Sequence, residues 1–204
     1  MSSITGIDVS HYQGNIDWVK VDANAKPISF VYIKATEGSN IVDPMAAVNG
    51  EGAAGAGIRT GYYHFANPQG AAGDAAAEAK HFISVLQTIA PPTLKYPYAL
   101  DIETNSDNLS PAAYLQWVYD FIAAFKAYSN IPLVIYSDSS FLSANLATPN
   151  NLGNNPLWIA RYSSQQPVVP APWTKWSAWQ YSDSGVVSGI SGSVDMDTAD
   201  SGFL

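Results

Sequence analysis

Short apolar runs and longer amphipathic runs alternate along most of this chain. Ile4-Thr5-Gly6-Ile7-Asp8-Val9 reads as a first strand, with Asp8 facing away from Ile7 and Val9. His11-Tyr12-Gln13-Gly14 reads as a turn, and Asp17 to Val21 as a short helical piece. Ile28 to Ala35 is apolar on both faces, the pattern of a buried parallel strand, and Thr36-Glu37-Gly38-Ser39 reads as the loop after it. Pro44 opens a helix to about Ala56, and Arg59 to Phe65 forms a third strand closed by Asn67-Pro68. From Ala71 to Ile89 the residues Phe82, Val85, Leu86 and Ile89 recur at helical spacing, and Pro91-Pro92 ends that helix. Tyr96 to Ile102 is a fourth strand. Ser110-Pro111 supplies the N-cap and first position of a helix running to about Tyr128. Leu133 to Tyr136 is a fifth strand, followed by a shorter helix near Ser139 to Asn145.

The rhythm then changes. Leu157 to Ala160, Ser177 to Tyr181 and Ile190 to Asp195 read as strands joined by Pro- and Gly-rich loops without helical periodicity. Five strand–helix units followed by three bare strands predict an α/β fold: a single-domain TIM-like barrel, modified to (β/α)5(β)3 with helices missing in the last third. The 204 residues fall short of the ~250 usual for such barrels, and three lost helices account for the difference. With no internal repeat or linker, residues 1–204 are expected to be a single domain.

Composition narrows the partners. The chain is 47% hydrophobic and 13% charged, far from the disordered class. Lys and Arg number 9 against 17 Asp and Glu, a formal charge of -8. Such a chain is repelled by phosphate backbones, so no nucleic-acid partner is expected, and affinity for any anionic target would have to be local. Nothing approaches the apolar run of about 18 residues that a membrane span needs. Met1-Ser2-Ser3 lacks the basic start and apolar stretch of a signal peptide. Cysteine is absent, and the three histidines lack metal-ligand spacing, so neither disulfides nor a metal site nor any cofactor is expected. Gly-x-Ser-x-Gly and P-loop patterns are absent as well.

In a parallel barrel the C-terminal ends of the strands open onto one face, where reacting groups collect. The fourth strand ends in Asp101-Ile102-Glu103. Side chains alternate along a strand, so the two acids face one way with Cα atoms roughly 6.5 Å apart. Paired carboxyls at the end of an apolar strand suit hydrolysis of a glycosidic bond, although an isolated Asp-x-Glu is more often a solvated strand end. The other strand ends carry Asp8, Lys34 with Glu37, Tyr62 to His64, Tyr136, Trp158, Gln180, and Asp195 with Asp197. Asp8, Asp101, Glu103 and Asp195 would crowd one cavity, and like charges at short range force at least one carboxyl to keep its proton to higher pH. Glu103, longer and farther out, is the candidate acid, and Asp101 the candidate for the anomeric centre. Lys34, Glu37, Tyr62, His64, Tyr136, Trp158 and Gln180 are candidate substrate contacts. Several have second readings: His64 as a hydrogen-bonded core histidine, Lys34 and Glu37 as an ion pair, the aromatic rings as core. Glu78 reads as part of a solvated helix face.

Six segments together resemble glycoside hydrolase family 25, the Chalaropsis-type lysozymes. They are Gly6-Ile7-Asp8-Val9-Ser10-His11-Tyr12-Gln13-Gly14, Phe30-Val31-Tyr32-Ile33-Lys34-Ala35-Thr36-Glu37-Gly38, Gly61-Tyr62-Tyr63-His64-Phe65, Ala99-Leu100-Asp101-Ile102-Glu103, Trp179-Gln180-Tyr181 and Val194-Asp195-Met196-Asp197. The resemblance implies a flattened (β/α)5(β)3 barrel that cleaves the β-1,4 bond from N-acetylmuramic acid to N-acetylglucosamine in bacterial peptidoglycan, with retention. It also implies Glu103 as acid/base, Asp101 as its partner, Asp8 and Asp195 as further acids of the site, and a secreted, extracellular enzyme expected to be a monomer, with residues 1–204 as a single catalytic domain and no separate cell-wall-binding module. Two other readings stay open on the residues alone: a non-catalytic saccharide-binding barrel, and a chitinase-like glycosidase. The second lacks upstream acids between Leu94 and Glu103.

Overall fold

The computed structural model describes residues 3–89 and 97–203. The Pro91-Pro92 stop and Tyr96 at the head of the fourth strand lie outside the described residues, as do Met1 and Ser2. Strands and helices alternate as β1 Ser3–Val9, α1 Trp18–Asp22, β2 Phe30–Glu37, β3 Ile41–Val42, α2 Ala46–Gly55, β4 Arg59–Phe65, α3 Asp74–Ile89 and β5 Ala99–Asp101. They continue as α4 Pro111–Phe125, β6 Val134–Asp138, α5 Ser139–Asn145, β7 Leu157–Ala160, β8 Ala178–Gly185 and β9 Val194–Asp200. Ser110 caps α4 as its sequence indicates, its Oγ accepting from the Ala113 amide at 3.3 Å.

The sheet runs β1-β9-β8-β7-β6-β5-β4-β2 and closes through a β1–β2 pairing, which makes an eight-stranded barrel. Strands β1, β2, β4, β5, β6, β7 and β8 are mutually parallel. β9 is antiparallel to both of its neighbours. The eighth strand was expected over 190–195, ending at Asp195; instead β9 starts at Val194 and runs back down the barrel. The reason is the length of the connection. A parallel return needs a crossover of a dozen or more residues, and residues 186–193 suffice only for a hairpin. Asp195 still reaches the barrel mouth, as the head of a descending strand set opposite Asp8.

β2 also differs from its expected bounds. Thr36 and Glu37 extend it beyond a bulge after Lys34 and pair with β3, so the expected loop is part of a short hairpin.

Two cores result from strands that are apolar on both faces. Inside the barrel, Phe30, Tyr32, Tyr63, Val134, Tyr136 and Trp158 pack with Ala99, Ala178 and Ala199. Outside it, Val31, Ile33, Leu100, Ile135 and Ile159 meet Phe82, Val118, Phe121 and Phe125 of the helical layer. The inner rings need room from the neighbouring strand, where their register partners are glycines. A Cβ added at Gly6 would lie 2.2 Å from the Phe30 ring, and one at Gly61 would lie 2.6 Å from Tyr32. Rings therefore fill the barrel's interior below the mouth, and the open space is left above them.

Parity along β4 places two expected cleft residues elsewhere. Tyr62 and His64 point out to the helical layer, opposite to Tyr63. The Tyr62 hydroxyl donates to the Ile89 carbonyl at 3.3 Å. His64 is fully buried, its Nδ1 2.7 Å from Thr36 Oγ1 and its Nε2 2.8 Å from Glu78 Oε2. Burial holds the imidazole pKa below its ordinary value. The neutral ring donates from Nε2 to Glu78 and accepts at Nδ1 from the Thr36 hydroxyl. Glu78, expected on a solvated face, is 1% exposed and also accepts from the Asn67 amide. This chain of bonds ties the ends of β2 and β4 to α3, behind the cleft and not in it.

Candidate active site

A cleft of about 220 Å³ opens where the parallel strands end. β5 delivers Asp101 to its wall and Glu103 to its rim. The backbone around both acids is pinned from two sides. The Ala66 amide donates to the Asp101 carbonyl at 2.9 Å, and the Ile102 amide to the Tyr136 carbonyl at 3.0 Å. Ser137 Oγ donates to the Ile102 carbonyl at 2.6 Å, and Thr104 Oγ1 to the Ala66 carbonyl at 3.0 Å. Asp101 is 5% exposed, and its Oδ1 has no hydrogen-bond partner among the described residues. Glu103 is exposed. Burial raises the Asp101 carboxyl well above its ordinary range, with the Glu103 charge adding and Lys34 opposing. Glu103, although exposed, is raised too, by partial withdrawal of its carboxyl from water at the rim and then by the Asp138 charge, again against Lys34. The Glu103 charge therefore acts on Asp101, so the proton held by one acid bears on the ionisation of the other.

Lys34 is the ammonium that lines the cleft. Its Nζ donates to Glu37 Oε2 at 2.7 Å and lies 4.6 Å from the centre of the Phe65 ring. Glu37 stands behind it, outside the cleft lining, and fixes where that cation sits.

On the opposite wall a hydrogen-bond chain crosses the mouth. Gln180 Nε2 donates to Asp8 Oδ2 at 2.7 Å, while Gln180 Oε1 accepts from the Tyr136 hydroxyl at 2.7 Å and the Tyr162 hydroxyl at 3.2 Å. Below it, fully buried Asp197 accepts from Trp158 Nε1 at 2.8 Å. Asp195 and Asp197 alternate inward on β9 beside Asp8 on β1, so three acids share one corner. Burial, then the charges of Asp197 and Asp195, push Asp8 well above its ordinary range. Asp197 rises to about 8, chiefly by burial, and Asp195 to about 6, by burial and the Asp183 charge.

These shifts carry a stability prediction. An unfolded aspartate titrates near ~3.9, so the folded protein holds extra protons until the raised pKa values are passed, up to about 8 at Asp197. Stability then falls as pH rises through that window. Buried neutral His64 acts in the opposite sense only below ~6.5. Tm is expected to drop between about pH 6.5 and 8.5, and Asp197→Asn should flatten the drop. Calorimetry at several pH values checks this; a Tm that rises over that interval would overturn it.

The profile of the family described as "Glycosyl hydrolases family 25" matches residues 7–190. This chain belongs to that family. Among its relatives, Lysozyme M1 of Streptomyces globisporus is 38% identical over 200 residues, which span 95% of this chain and 67% of that protein. The N,O-diacetylmuramidase of Chalaropsis sp. is 32% identical over 208 residues, covering 95% of this chain and 96% of the relative. The crystal structure of the bacterial lysozyme from Streptomyces coelicolor superposes with a TM-score of 0.88 at 36% identity, covering 98% of this chain and 93% of that one. The barrel with three helix-free strands is therefore the fold of family 25, and the chain is a glycoside hydrolase.

Within this family 25 barrel, the cleft brings together Asp8, Lys34, Asp101, Glu103, Tyr136, Trp158, Gln180 and Asp195 from the expected set. Tyr62 and His64 are excluded by parity, and Glu37 supports from outside. Sequence reasoning passed over Tyr63, Tyr12 and Tyr162, which also line the cleft, and gave Asp197 no part in the site. Tyr63 was not separable from Tyr62 on a strand buried on both faces. Asp197 carried a usable signal, since i, i+2 acids on a strand share a face with each other. Tyr12 and Tyr162 sit on connections just past β1 and β7, where no periodicity marks direction.

Proposed function

We propose that this chain is a secreted, extracellular, monomeric lysozyme. It hydrolyses the β-1,4 bond between N-acetylmuramic acid and N-acetylglucosamine in bacterial peptidoglycan with net retention, and residues 1–204 form its catalytic unit. Neither a nucleic acid nor a membrane is its target. The observation that carries this reading is the pair Asp101 and Glu103 on one pinned strand end, buried wall beside exposed rim, with Glu103 raised so that it can carry the proton and Lys34 favouring the charged form of Asp101. Exposed Glu103 is placed to protonate the leaving glycosidic oxygen, and Asp101 to stabilise positive charge developing at the anomeric carbon. Glu103, now ionised, then removes a proton from the water that attacks the same face, which returns the carboxyl and leaves the β-anomer. Lys34 counters the charge that the cleft's acids accumulate. Asp8, held by Gln180, and Asp195 line the opposite wall, where they accept hydrogen bonds from sugar hydroxyl and amide groups. Tyr136 and Trp158 form the cleft's aromatic side.

The experiment is end-group analysis. Digested walls are reduced with borohydride and the fragments weighed by mass spectrometry. Reduced muramic acid is expected at the new ends, and proton NMR of a soluble glycan should record the β-anomer first. Reduced glucosamine ends, or faster cleavage of chitin oligomers, would overturn the substrate; an α-anomer appearing first would overturn retention.

A further inference from the structure

Acids outnumber cations at the mouth, where Asp8, Asp101, Glu103, Asp138 and Asp195 stand with Lys34 and Arg161, while the opposite end carries four exposed cations with Asp22 and Asp200. Lys26 precedes β2, Arg59 begins β4, Lys126 caps the C-terminus of α4 ahead of β6, and Lys175 precedes β8. In a barrel of parallel strands those positions all lie at the end away from the cleft. The four are exposed. The lysine ion pairs among the described residues engage Lys20 and Lys34, and none of these four.

Two of these cations bracket a groove. A recess of about 140 Å³ beside Lys126 adjoins one of about 160 Å³ beside Lys175, sharing Asn154 and Asn155 as a common wall. The second continues into a recess of about 300 Å³ through Pro156, Lys175 and Ser177. Exposed Asn130 and Asn154 supply neutral amides between the two ammonium groups. Among the described residues, Asp200 is the carboxylate that lines the groove, at its far edge.

A run of amides between ammonium groups that make no ion pair among the described residues suits a flexible chain that carries a phosphate at intervals and hydroxyls between. We infer that this groove, on the end of the barrel opposite the cleft, docks a polyol-phosphate polymer attached to the bacterial wall. The choice of polymer rests on the proposed peptidoglycan substrate. Because groove and cleft lie at opposite ends, a docked polymer leaves the cleft free for a neighbouring glycan strand. A chain of net charge -8 needs such a local basic surface to stay on an anionic wall.

The test is sedimentation with insoluble walls, either bearing their phosphate polymer or stripped of it by hydrofluoric acid. Turnover of a soluble, polymer-free glycan is measured in parallel. The wild-type protein should bind the polymer-bearing walls more tightly, and the difference should shrink as salt rises from about 50 to 200 mM. Lys126→Glu/Lys175→Glu should weaken binding to those walls about ten-fold while leaving glycan turnover unchanged. Lys20→Glu/Lys80→Glu makes the same change in net charge away from the groove and should bind like the wild type. Equal binding to both kinds of wall, an equal loss in the two double variants, or stronger capture by phosphatidylglycerol vesicles than by walls would overturn the inference. Loss of glycan turnover in the wild type would instead count against the proposed function, since sedimentation reads docking without catalysis.

Discussion

Glu103→Gln is expected to lower kcat for release of reducing ends from bacterial walls by about 10²–10⁴-fold, with KM and Tm nearly unchanged. The fold tolerates the change because Glu103 is exposed at the rim, and the bonds that fix its backbone belong to Ile102 and Thr104. The chemistry does not tolerate it, because glutamine has no proton to give to a leaving oxygen. The variant also has an electrostatic signature. The Glu103 charge ranks second, after burial, among the causes that raise Asp101. Its removal should let Asp101 ionise at lower pH, which carboxyl NMR can follow in the inactive protein. Full activity would sink the assignment of Glu103. An unchanged Asp101 titration would mean that the two carboxyls are less tightly linked than their placement indicates.

The parts of this fold that were legible in the sequence are those where local chemistry has one solution. Ser110-Pro111 could only open a helix, and Phe82, Val85, Leu86 and Ile89 could only form a helical stripe. Asp101 and Glu103 were legible because i, i+2 parity holds whichever way the strand faces. Two kinds of information were missing. The first is absolute parity: Tyr62, Tyr63 and His64 lie on a strand buried on both sides, so apolarity does not say which face looks inward. His64 and Glu78, polar and facing outward, found each other under the helical layer. The second is strand direction. Asp195 marks a strand end in the sequence whether the chain arrives there or departs, and the short connection at 186–193 decides for departure. That reversal sets Asp8 directly opposite Asp195 and brings Asp197 beneath them, an acidic corner that a fully parallel barrel would have spread apart.

Asp101→Asn is expected to cost about 10²-fold or more in kcat, and comparison with Asp101→Ala should say how Asp101 acts. Asp101 is buried, its main chain is held on both sides, and its Oδ1 has no hydrogen-bond partner among the described residues. That oxygen is available either to bond the anomeric carbon or to hold the substrate's own N-acetyl group while its carbonyl attacks. Asparagine fits the same space and keeps a carbonyl oxygen that can accept the N-acetyl N–H, but it is a very poor nucleophile. If Asp101 forms a covalent ester, asparagine and alanine should be equally inactive. If it orients the N-acetyl group, asparagine should retain at least ~10-fold more activity than alanine, because one good hydrogen bond survives. The pH profile gives an independent reading. In the wild type, activity should fall on the acid side as Asp101 becomes protonated and on the alkaline side as Glu103 loses its proton. Asp101→Asn should lose the acid limb and keep the alkaline one. An acid limb that persists unchanged in Asp101→Asn would assign that limb to Asp8 or Asp195 and remove Asp101 from the reacting pair.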